Sequence, residues 1–157
     1  MRTISEIIIH CSATPEGKDY TVSDIDRWHK ARGFCSPSGI HIGYHFVIYR
    51  DGSIHPGRPL SETGAHAGSS HNPHSIGVCY IGGVDAKNSK IAKDTRTEAQ
   101  KASLLSLLKD LKTKFPEARI LGHRDTSPDL NHDGVISKNE WLKACPSFDA
   151  ASEYAHL

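Results

Sequence analysis

The sequence predicts an α/β domain with a central mixed β-sheet flanked by helices. Short β-branched or apolar runs, Ile7-Ile8-Ile9 and Ser75 to Ile81, have the length and composition of buried strands. Two stretches with apolar residues at helical spacing, opening at Thr21 and Thr97, interleave with them. No repeat or composition break divides the 157 residues, so 1–157 is expected to be one domain.

Taken in order, the isoleucine run ends at His10, and HCSATPEG reads as a loop. Thr21 with Asp24 forms a capping-box variant, Val22, Ile25 and Trp28 then share one helix face, and Gly33 ends the helix. Tyr44 to Arg50 alternates as a strand and turns at Asp51-Gly52 into a partner beginning at Ser53. Leu60 to His74 is a long polar loop, and loops of that length usually serve a function. Within it Asn72, like Ser75 beyond it, is expected to fix the loop by hydrogen bonds. Thr97 caps a helix whose Leu104, Leu105, Leu108 and Leu111 form its apolar stripe, and Pro116 stops it. Arg119 to Leu121 is a last short strand, followed by a loop and a short helix from about Lys138 to Ala144. The C-terminal SEYAHL is expected to fray.

Lys plus Arg number 19 against 18 for Asp plus Glu, which argues against a nucleic-acid partner held by a broad basic field. No apolar run approaches membrane-spanning length, and MRTISEIIIH lacks the features of a secretory signal. Synthesis in the cytoplasm, no membrane partner and a monomeric chain are the expectations. The four cysteines are expected to stay free, with Cys79 in a core strand.

Eleven histidines invite a search for metal ligands. His10 and His123 each follow a core strand, where α/β sheets present reactive groups. With Cys145 in KACPSF they form a set of two imidazoles and one thiol. Catalytic zinc commonly takes three protein ligands and leaves a fourth place to water. That water becomes acidic and the ion polarises a carbonyl, so the set points to metal-assisted hydrolysis.

A second constellation lies between His123 and Cys145. Asp129, Asn131, Asp133, Gly134, Ile136, Ser137 and Glu140 occupy places one, three, five, six, eight, nine and twelve of an EF-hand loop. Oxygen ligands would come from Asp129, Asn131, Asp133, the Val135 carbonyl and Glu140, so Ca2+ binding is expected within residues 129–140. Ser127-Pro128 argues against an incoming helix, which leaves an unpaired loop acting as a clip.

The segments IIIHCSAT, GYHFVIYRDGSI, HNPHSIGVCYIGG, ILGHRD and KACPSFD resemble, in the same order, those of the zinc-dependent N-acetylmuramoyl-L-alanine amidases. These are the phage-lysozyme-like relatives of the peptidoglycan recognition proteins. The resemblance runs from about Ile7 to Asp149. It implies a mixed sheet with a zinc at the floor of a cleft. It also implies cleavage of the amide between N-acetylmuramic acid and L-alanine in peptidoglycan. His10, His123 and Cys145 match the zinc ligands. Tyr44 matches the tyrosine that orients or deprotonates the attacking water, and Lys143 a position suited to stabilising the oxyanion. His66 in GAHAG matches a cleft-wall histidine and is expected to contact substrate, whereas His45 and His29 are expected to pack. Plain family members join the second histidine to Lys-x-Cys by a short loop, so 129–140 reads as an insertion. Two alternatives stay open: a non-catalytic peptidoglycan-binding module, against which Cys145 speaks, and a regulatory phage-type protein acting on an RNA polymerase.

Overall fold

The computed structural model describes residues 2–157. Strands β1 (Glu6–Cys11), β3 (Phe46–Ile48), β4 (Ile54–Pro56), β5 (Ser75–Tyr80) and β7 (Arg119–Gly122) form a five-stranded sheet in the order β4-β3-β5-β1-β7. The pairings β3–β5, β1–β5 and β1–β7 are parallel and β3–β4 is antiparallel, so the sheet is mixed as expected. Two short strands, β2 (Thr14–Pro15) and β6 (Gly83–Val84), pair beside it.

The central strands β1 and β5 are buried along their whole length, which is why each reads as a continuous apolar run. Their alternation divides the sheet into two faces. Ile7, Ile9, Ile76, Val78 and Tyr80 join Leu104, Leu108 and Leu111 of helix α2 (Glu98–Lys114) in the main core. Each such fully buried side chain contributes about 1.5–3 kcal/mol. Glu6, Ile8 and His10 of β1, and Ser75, Gly77 and Cys79 of β5, alternate to the opposite face. Near that face helix α1 (Val22–Ala31) packs Ile25 against Ile42, Val47 and Ile81. One strand thus supplies both core and site.

The expected caps form. Thr21 Oγ1 accepts from the Asp24 amide while Asp24 accepts from the Thr21 amide, and Thr97 with Gln100 repeats the pattern on α2. Gly33 adopts φ 84° just past α1, and Gly52 adopts φ 88° in the hairpin turn, where a β-carbon would stand 2.9 Å from Ala99.

Two expectations are corrected. The helix from Lys138 to Ala144 is only a 3-10 turn, Lys138–Glu140. Trp141 turns extended and stacks under the Arg124 guanidinium at 4.0 Å, and the Leu142 amide donates to Ser127 Oγ instead of an i−4 carbonyl. The C-terminus does not fray either. Helix α3 (Ala150–Glu153) and the buried Tyr154 are held by Arg96, which lies over Phe148 at 3.4 Å and pairs with Glu153. The sequence disguised this because Arg96 sits in a polar connection far along the chain.

Candidate metal centre

β1 delivers His10 near its C-terminal end, and β7 ends at Gly122, so His123 opens the next turn beside it. The two rings lie with centroids 4.5 Å apart. Cys145 arrives from the far side of the 129–140 segment. Its segment is anchored to its neighbours: the Arg124 amide donates to the Cys145 carbonyl at 2.7 Å, and Tyr80 Oη donates to the Pro146 carbonyl at 2.6 Å. Cys145 Sγ accepts from the Cys11 amide at 3.2 Å and stands 3.8 Å from His10 Nδ1. Donor atoms of His10, His123 and Cys145 all fall within 4.8 Å of one another. All four cysteines are free.

Which His10 nitrogen faces this centre follows from its partners. His10 is 1% exposed, and its Nε2 lies 2.9 Å from His66 Nδ1. His66 Nε2 in turn lies 3.2 Å from Ser75 Oγ. If His10 Nε2–H donates to His66 and His66 Nε2–H donates to Ser75, the lone pair of His10 Nδ1 is left facing Cys145. Glycines make room for this chain. A β-carbon on Gly77, in the middle of β5, would stand 2.7 Å from the His66 ring, and one on Gly64 would stand 2.6 Å from it. A glycine inside a buried strand weakens it, and here the space it leaves is filled by an imidazole.

The electrostatics favour neutral imidazoles. Burial, followed by the charges of His66, His123 and Lys143, holds His10 well below the usual histidine range. Burial and Lys143 bring His123 down to about 4. The Cys145 thiol is raised, first by its hydrogen bond with Cys11 and then by burial, so taking a cation here would release a proton. Burial lifts the Tyr44 phenol well above its ordinary value.

These groups floor a cleft of ≈ 530 Å³ whose lining includes Tyr44, His66, His123, Lys143 and Cys145. The Tyr44 ring lies 5.1 Å from that of His10, and Lys143 is exposed on the rim. His29, expected only to pack, does so against Tyr44 and also accepts the Gly43 amide at 2.8 Å, which fixes the approach to Tyr44. His45 is buried, accepts from the Gly77 amide and donates to the Glu62 carbonyl. Asn72 Oδ1 accepts from the His66 and Ala67 amides, fixing the long loop as expected.

A model of the N-acetylmuramoyl-L-alanine amidase family matches residues 1–146. The chain belongs to that family. The endolysin of Klebsiella phage KP32 is 39% identical over 145 residues, covering 92% of this chain and 82% of its own length. The endolysin of Escherichia phage T7 is also 39% identical, over 143 residues, covering 91% and 80%. Among solved structures, the N-acetylmuramoyl-L-alanine amidase LysC from Clostridium intestinale URNW superposes with a TM-score of 0.69 at 26% identity, covering 97% of this chain and 82% of that one.

Between residues 129 and 140, oxygens of Asp129, Asp133 and Glu140 also gather within 4.8 Å. Most of their partners are main-chain amides. Asp129 accepts from the Asp133 and Gly134 amides. Glu140 accepts through Oε2 from the Leu130 and Asn131 amides and through Oε1 from the Ser137 amide and hydroxyl. Asn131 Oδ1 accepts from the Asp133 amide, and Val135 is exposed.

His71 and His74 approach the buried Glu6. Their spacing of three residues around Pro73 was the available signal. Its counterpart on β1 is too distant in sequence to suggest the pairing.

Proposed function

We propose that this chain is a zinc-dependent amidase that hydrolyses the bond between the lactyl group of N-acetylmuramic acid and L-alanine in peptidoglycan, acting on the cell wall as a single chain. The observation that carries the reading is the convergence of His10, His123 and Cys145 at the floor of a cleft. The donor set fits the ion: two neutral imidazoles and one thiol, with His10 Nδ1 facing Cys145. A zinc held there would act as a Lewis acid on the scissile carbonyl and raise the acidity of water.

The protein groups supply the rest. Tyr44 lines the cleft, and its phenol, protonated at neutral pH and raised further by burial, would offer its O–H to oxygen there. Lys143 on the rim places an ammonium where the amide oxygen gains negative charge. Both ring nitrogens of His66 are engaged, so we assign it to holding His10 rather than to touching substrate. That arrangement fixes the tautomer and the ring plane of a ligand, the usual task of a hydrogen-bond partner behind a metal site.

For residues 129–140, taken as an insertion into the amidase domain, we propose Ca2+ binding by Asp129, Asn131, Asp133, the Val135 carbonyl and Glu140. The support is the gathering of three carboxylates in an EF-hand spacing. Because the same carboxylates already cap loop amides, the ion would reinforce a closure that the chain makes itself.

The test combines metal analysis of the purified protein with release of L-alanine N-termini from peptidoglycan. One zinc at the centre formed by His10, His123 and Cys145, and hydrolysis lost on chelation and restored by Zn2+, are expected. Full hydrolysis by metal-free protein overturns the reading.

A further inference from the structure

We infer that Glu6, His71 and His74 form a second metal site, selective for a divalent ion of the Zn2+, Co2+ and Ni2+ class. Glu6 opens β1, on the face it shares with His10, and its side chain is only 9% exposed. A carboxylate so buried requires partners. His71 Nδ1 stands 2.8 Å and His74 Nε2 3.7 Å from the same oxygen, Oε2. The other oxygen faces Arg119 Nη2 at 3.6 Å, from a side chain that is 72% exposed.

One oxygen of Glu6 faces both imidazoles but holds only one of them at hydrogen-bond distance. The His71 contact is a hydrogen bond and the His74 contact is too long for one. A cation among the three satisfies all of them. Bonds of about 2.0–2.2 Å in tetrahedral geometry separate donors by roughly 3.3–3.5 Å. The two separations from Glu6 bracket that range, and the three donor atoms all lie within 4.8 Å of one another. Arg119 would then hold the non-ligating oxygen, as outer partners of a ligating carboxylate commonly do.

The backbone behind the site is rigid. His74 ends a 3-10 turn, Asn72–His74, that contains Pro73. The Ser5 amide donates to the His74 carbonyl at 2.9 Å. Arg2 Nη1 donates to the carbonyls of Asn72, Pro73 and Ser75. The donors are thus placed before any ion arrives. His74 is 40% exposed in its side chain, which leaves a path for the ion and an open side for water.

The site lies at the end of the loop that carries His66, and Asn72 Oδ1 ties that end to the His66 and Ala67 amides. A metal here would pin the loop to β1. The inference does not depend on the amidase reading, because none of its three residues belongs to the centre formed by His10, His123 and Cys145.

The experiment is a Co2+ titration of the full chain with calcium in excess, followed by absorption and native mass spectrometry. The centre that contains Cys145 gives a thiolate charge-transfer band, whereas a site of one carboxylate and two imidazoles cannot. We expect two equivalents, only one of which carries that band. Glu6→Gln and His74→Ala should each weaken the bandless equivalent more than about tenfold and leave the band intact. His74→Ala removes a partly exposed ring and keeps the fold. A single equivalent in the wild type, or a second one indifferent to both substitutions, overturns the proposal. Loss of the band in Cys145→Ser with the second equivalent retained separates the two sites.

Discussion

Replacing His66 by alanine should damage the metal centre without removing a ligand. In the tautomer that leaves Nδ1 free, His10 Nε2–H, on a side chain 1% exposed, would lose its acceptor on His66. Leaving a buried donor unpaired costs about 1–3 kcal/mol. The metal-free protein can escape that cost by moving the proton to Nδ1, which faces Cys145 Sγ at 3.8 Å. Binding then has to reverse the tautomer, so the cost appears as lost affinity. The expected loss is about 10–100-fold for zinc, the range for removing an outer partner of a ligating histidine. The assay is competition with a chromophoric chelator at neutral pH, with circular dichroism to verify folding. Gly77→Ala provides a second route, since its methyl would press on the His66 ring from 2.7 Å and should lower zinc affinity in the same direction. Zinc affinity within about twofold of wild type, combined with lost hydrolysis, would refute the reasoning and return His66 to substrate contact.

Cys145→Ser should lose the zinc of the centre it shares with His10 and His123, and hydrolysis with it, while the protein stays folded, as read by metal analysis and thermal melting; retained zinc at full stoichiometry would contradict the ligand set. Tyr44→Phe and Lys143→Ala should lower kcat far more than they change KM, because both act on charge that develops in the transition state; a change confined to KM would mark them as binding residues. Calcium should raise zinc affinity and hydrolysis at fixed zinc, and Glu140→Gln, which weakens the caps on Leu130, Asn131 and Ser137, should lower both; unchanged values in protein shown to bind calcium would leave the loop a passive insertion. Acid should destabilise the fold early. Burial brings His29 and His45 down to about 4, below the ordinary histidine value of 6.5. The unfolded chain therefore takes up their protons first, and stability present above 6.5 is lost as pH falls toward about 4. A urea midpoint that stays constant from neutral pH to pH about 5 would show that these rings are not held neutral.

Much of this protein was written locally. The isoleucines before His10, the capping boxes at Thr21 and Thr97 and the turn at Asp51-Gly52 are short-range signals, since period, cap and turn chemistry act over a few residues. His10, His123 and Cys145 were legible as a set because strand ends and motif order point to them. Tertiary structure decided the rest, because the deciding partners are far apart in sequence. Trp141 leaves the expected helix for the Arg124 guanidinium and Ser127 takes the Leu142 amide, so propensity after Glu140 is overridden by packing. The C-terminal residues are ordered by Arg96, 57 residues before Glu153. His66 finds His10 across 56 residues and occupies the space left by Gly77. Glu6 finds His71 across 65. A histidine's neighbours set its proton, its charge and its use, and only the folded sheet brings those neighbours together.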